Sequence, residues 1–154
     1  MKRNLFLLLS LITVSSFGQT ILSENFGNPG STTLIPAYAT GTAPATFQNK
    51  APIVFSGTGD VRSTSPSTTY TGFSGLGNAY LSGTAGKYLQ IDGINTSAYQ
   101  PANISFTFGY WSYNVPTTQM ILEYSTNGTN WTPITFLNNT VKGWNLVTDR
   151  KSVV

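Results

Sequence analysis

With neither cysteine nor histidine in its 154 residues, the chain has no disulfides, thiol nucleophiles, imidazole bases or ordinary zinc ligands. Only 8% of residues are charged, which leaves the surface to Ser, Thr, Asn, Gln and Gly, while 13% aromatic content argues against disorder. The net charge of +3 comes from the ends, because removing Lys2, Arg3, Arg150, Lys151 and Asp149 leaves four basic against four acidic residues and no basic patch for nucleic acid.

In chain order, Lys2 and Arg3 form a basic n-region and Leu5 to Val14 an apolar core. Ser16 and Gly18 put small residues ahead of a cut before Gln19, so residues 1–18 are expected to be a secretory signal peptide. The apolar run is shorter than the ~20 residues of a mature membrane span. No later stretch is long and apolar enough to span, so no membrane span is expected in the mature chain. Without cysteine, a lipid anchor through a diacylglyceryl cysteine is excluded. The expected address is secreted or on the outer cell surface, and residues 19–148 form one domain-sized module.

Thr20 to Phe26 has the composition of a first strand, closed by Gly27-Asn28-Pro29-Gly30. Leu34 to Thr46, punctuated by Pro36, Gly41 and Pro44, is expected to be a loop. Phe47 and then Ile53-Val54-Phe55 predict a second strand ending at Gly57-Thr58-Gly59, with Val61-Arg62 as its continuation. Ser63 to Gly77 has the composition of an ordered surface loop. Ala79 to Ser82 predicts a short strand, and Tyr88 to Asp92 another with Leu89 and Ile91 on one face.

Ile104 to Tyr110 alternates apolar and polar residues and is the clearest strand. Met120, Leu122 and Tyr124 again share a face. Asn127-Gly128 then signals a hairpin, because both residues tolerate positive φ. Trp131, Ile134 and Phe136 resume the apolar side, with Trp131 expected in the core. Pro133 cannot donate to a ladder, so the return strand is expected at an edge or bulged. Gly143 to Val147 begins a further strand. Helical periodicity is absent after Val14. Short strands at roughly 8–12-residue spacing predict an all-β, antiparallel β-sandwich of jelly-roll type with its core between Ile104 and Leu146.

The tail 149–154 departs in texture from the Ser/Thr/Asn/Gly-rich sequence before it. Its residues back-translate to a common sequencing-adaptor read, so the natural sequence is expected to continue differently after Thr148.

Several stretches together resemble an N-terminal jelly-roll module of exported Bacteroidetes-type proteins: ILSENFG, FQN, SGTGDVRSTSPSTTYTG, KYLQIDGINTSAYQPANISFTFGY and ILEYSTNGTNWTPI. The resemblance implies a fold related to galactose-binding-like and other carbohydrate-binding domains, carried in longer proteins with a C-terminal type IX secretion sorting domain. By that resemblance, the closing strands of the module and the sorting domain are expected to follow Thr148 in the natural protein. The resemblance also implies a structural calcium in the complete domain, to which Glu24 would contribute an oxygen.

For chemistry, Glu24, Asp60, Asp92 and Glu123 are scattered carboxylates. Asp60 and Asp92 are expected in turns and Glu123 in solvent. No catalytic residue is assigned. The candidate ligand residues are Tyr110, Trp111, Tyr113 and Tyr99, since flat aromatic faces stack on sugar rings. Trp111 falls opposite Phe106 and Phe108. The alternative is that these rings cover the second side of the sandwich. The expected function is a non-catalytic extracellular module for adhesion or polysaccharide contact. The alternative is an accessory domain of a secreted nuclease or peptidase whose catalytic domain lies further along.

Overall fold

The computed structural model describes residues 19–63, 74–99, 104–112, 120–136 and 142–149. The strands are β1 (Thr33–Leu34), β2 (Val54–Gly57), β3 (Asp60–Arg62), β4 (Asn78–Tyr80), β5 (Leu89–Asp92), β6 (Phe106–Ser112), β7 (Glu123–Tyr124), β8 (Thr132–Pro133) and β9 (Gly143–Asp149). They pair antiparallel in the orders β1-β3-β4, β2-β5, β6-β9 and β7-β8. The protein is all-β, as its periodicities predict, with one short helix among the described residues. No described helix is long and apolar enough to cross a membrane.

That helix, α1 (Ile35–Ala39), corrects the expected loop. Proline fits the first helical turn, where its missing N–H has no intrahelical partner to lose, and Pro36 stands there. Ile35 and Tyr38, three apart, then point to one side and are both buried. Five residues are too few for a sequence window to register that spacing.

Burial concentrates around α1. Ile35, Tyr38, Phe47, Phe55 and Val61 form the buried cluster, with Phe26, Ala39, Ala45, Ile53, Leu89 and Ile91 packed against it. Phe47 stacks on Phe55 at 4.0 Å between ring centroids and meets Tyr38 edge-on at 5.1 Å. Each such side chain contributes about 1.5–3 kcal/mol by leaving water. The β2–β5 register pairs Phe55 with Ile91 and Gly57 with Leu89, which puts the predicted Leu89–Ile91 face onto this cluster. Among the described residues the buried cluster therefore lies before Asp92, not between Ile104 and Leu146.

Asp60 to Arg62 does not prolong β2. After Gly57 the chain turns into another sheet, where Val61 faces inward and pairs with Thr33 and Ala79. Asp60 is thus a strand residue, not a turn former. On the outer side the Arg62 guanidinium lies 3.7 Å from the Tyr80 ring centroid and donates to both carboxylate oxygens of Asp60.

The expected first strand, Thr20 to Phe26, does not form, since the segment has no ladder partner among the described residues and is fastened by side chains instead. Glu24 Oε1 accepts from the Phe26 N–H at 2.8 Å, and Oε2 accepts from the backbone N–H groups of Gln48 at 3.0 Å and Asn49 at 3.1 Å. Asn49 Nδ2 adds donations to Oε2 at 2.9 Å and to the Ser23 carbonyl at 2.6 Å. Phe26 adopts φ +60°, which is unusual for a side chain of its bulk. Its carbonyl accepts from the Tyr38 hydroxyl at 2.7 Å. At Gly27, also at φ +60°, a Cβ would come within 2.5 Å of the Pro44 and Thr46 carbonyl oxygens, so glycine is required.

Burial, and then the Glu24 charge, raise the Tyr38 hydroxyl above its ordinary pKa of 10.0. The folded chain therefore holds this proton more tightly than the unfolded chain. The associated stability is complete below pH 10.0 and is lost as pH rises through the folded value. Thermal melts across the alkaline range should show a steeper loss for the natural chain than for Tyr38→Phe, which has no hydroxyl to ionise. Parallel curves would contradict this coupling.

Downstream, β6 and β9 form a seven-residue ladder from Phe106↔Asp149 to Ser112↔Gly143. Phe106, Phe108 and Tyr110 stack along one face, and Phe136 packs edge-on against Phe108 and Tyr110 at 5.6 and 6.1 Å. Tyr110 and Asn145 are the buried side chains here among the described residues. Asn145 donates through Nδ2 to the Gly143 carbonyl at 3.0 Å.

The β7–β8 hairpin forms where Asn127-Gly128 predicts it, but its connection spans residues 125–131. Gly128 has φ +69°, whereas Asn127 does not enter the positive-φ region. Side-chain oxygens of Ser125 and Asn127 cap the loop instead, which lengthens it. Trp131 consequently falls before the two-residue return strand and is 39% exposed, so it is not a core residue. Pro133 sits in β8, whose partner among the described residues is β7, so the expected edge position holds. Glu123 is exposed, as its alternation predicts.

Candidate functional site

The β6–β9 ladder has two unlike faces, because antiparallel partners project to the same side. Phe106, Phe108 and Tyr110 share one side with Val147 and Asn145 and are half-buried or buried. The other side carries Thr107, Gly109 and Trp111 from β6 and Trp144, Leu146 and Thr148 from β9. On that face Trp111 is 37% exposed and Leu146 is 56% exposed.

Trp111 and Trp144 are directly paired in the register, with ring centroids 5.8 Å apart and planes inclined at 74°. Edge-to-face contact suits the ring quadrupoles and fixes both indoles. Further along the ladder, Thr107 Oγ1 donates to Thr148 Oγ1 at 3.2 Å. The face has two indoles at one end, a hydroxyl pair roughly 13 Å away at about 3.3 Å per residue, and no charged residue between them.

Of the sequence-predicted ligand residues that the structure describes, only Trp111 is on this face. Tyr110 is on the opposite face and 8% exposed, so its ring is committed to packing against Phe108 and Phe136. Tyr99 is half-buried in a turn, where its N–H donates to the Thr96 carbonyl at 3.0 Å. Tyr113 lies outside the described residues. Trp144 was missed, because it becomes Trp111's partner only when β9 is placed antiparallel to β6 in this register.

Glu24 lies elsewhere, and its surroundings do not suit calcium. Its oxygens face four N–H donors, from Phe26, Gln48, and the backbone and side chain of Asn49. A cation would meet these hydrogens, whereas calcium requires additional oxygens. Among the described residues no group of three Asp, Glu, His or Cys side chains could hold a metal ion.

The other acids are also separated. Asp60 is paired with Arg62, and both Asp92 oxygens accept from Gln90 Nε2, at 2.8 and 3.0 Å. No family model, curated protein or solved structure matches the chain.

Proposed function

We propose that the protein is an exported, non-catalytic β-sandwich module whose β6–β9 outer face contacts neutral carbohydrate. The observation that carries this reading is the exposed Trp111 ring, held edge-on by Trp144 on a strand face whose paired positions from Thr107 to Trp111 carry no charge. Such a surface offers dispersion and C–H contacts to the apolar face of a sugar. Between Thr107 and Trp111 it gives an ionic ligand no counter-charge to offset the loss of hydration. The non-catalytic part is supported by the acids, since Glu24, Asp60 and Asp92 each serve a separate structural partner. Export is supported by the basic and apolar pattern of residues 1–18.

The test is a glycan array probed with the full chain and with Trp111→Ala. The natural chain should bind neutral polysaccharides. The variant should lose roughly thirtyfold in affinity, as for a truncated aromatic hot spot of about 2 kcal/mol. Its melting temperature should change little, because the ring is partly in water already. No binding by either protein, or equal binding by both, would reject the reading.

A further inference from the structure

Independently of carbohydrate contact, we propose that Asn127-Gly128 is a latent deamidation site that Ser125 holds in check. Deamidation proceeds when the Gly128 nitrogen loses its proton and attacks the Asn127 Cγ, and Nδ2 departs as ammonia. Water then opens the cyclic imide at either carbonyl and leaves aspartate or isoaspartate. Glycine favours the attack because it has no Cβ to obstruct the ring. Residues 126–130 are exposed, so water for the second step is at hand.

The hairpin geometry opposes the first step. The Gly128 N–H points back to Ser125 Oγ at 2.9 Å, and the Asn127 N–H donates to the same oxygen at 3.3 Å. Meanwhile Asn127 Oδ1 reaches forward and accepts from the N–H groups of Thr129 at 2.9 Å and Asn130 at 2.8 Å. Ser125 Oγ also lies 3.2 Å from Oδ1 and can donate to it. The attacking nitrogen is thus tied to the Ser125 hydroxyl, and the side chain it must reach is tied to the same hydroxyl and to two backbone N–H groups, so one hydroxyl anchors both reacting groups. Ring closure requires that hydroxyl's bonds to break, so the local opening of the loop limits the rate.

The experiment is peptide mapping after prolonged incubation in mildly alkaline buffer, applied to the full chain, the same chain unfolded in urea, Ser125→Ala and Ser125→Thr. The folded natural chain should form aspartate and isoaspartate at position 127 about tenfold more slowly than the unfolded chain. Ser125→Ala should approach the unfolded rate with its circular dichroism unchanged. Ser125→Thr, which keeps the oxygen, should stay slow. A natural chain that reacts as fast folded as unfolded would overturn the proposal, as would a folded Ser125→Ala that reacts no faster than the natural protein.

Discussion

Replacing Phe47 by alanine is expected to destabilise the protein by about 3–5 kcal/mol, the range for a large aromatic removed from a close-packed interior. The ring is 1% exposed and contacts Phe26, Tyr38 and Phe55 from three directions. None of these can easily fill the space. Tyr38 is fixed by α1 and its hydroxyl bond, Phe55 by the β2–β5 ladder, and Phe26 by the fastened segment. Leu146→Ala is the natural control, because that side chain is 56% exposed and should cost under about 0.5 kcal/mol. Urea unfolding of the two variants separates the alternatives. Similar costs would mean that the interior on which stability depends lies elsewhere than around α1.

The second large effect is expected from Glu24→Ala, at about 2–4 kcal/mol, since hydrogen bonds to a charged acceptor are the stronger kind and this carboxylate is only half-buried. The change strands the backbone N–H groups of Phe26, Gln48 and Asn49 together. It also removes the support for the positive φ at Phe26, a conformation that costs on the order of 1–3 kcal/mol unless its surroundings impose it. Glu24→Gln should recover only part of the loss, because its amide presents one acceptor and sets an N–H₂ against donors. Amide hydrogen exchange gives the residue-level check. Protection at Phe26, Gln48 and Asn49 should fall in both variants, and unchanged protection there would refute the role assigned to Glu24.

Alternation was legible wherever strands are half-buried, because one face in water and one on the protein leave a period of two in the sequence. Leu89 and Ile91 on β5, Phe106 and Phe108 on β6, and the exposed Ile121 and Glu123 all follow it. What failed to appear were structures held by side chains or by very short pairings. Thr20 to Phe26 has the composition of a strand, yet one carboxylate takes over the work of a ladder. β1 has two residues and α1 five, both below the length at which periodicity accumulates.

The centre of the fold was misplaced for a related reason. Regular alternation after Ile104 marks strands with one face in water, whereas Ile35, Tyr38 and Phe47, among the most buried of the described side chains, come from irregular sequence around Pro36 and Pro44. In the candidate site, Trp111's side of the strand was readable. Its partner Trp144 was not, since register across 32 intervening positions depends on the folded pairing Trp111↔Trp144.

The Glu24 clamp has a consequence for durability. Its contacts to Gln48 and Asn49 join positions 24 and 25 residues apart, and so close a large loop without a covalent bond. Small extracellular proteins commonly rely on cystine staples for that task. Here a carboxylate restrains the same kind of chain segment, so thiol reductants have nothing to cleave and the protein's resistance to unfolding should be the same in oxidising and reducing surroundings.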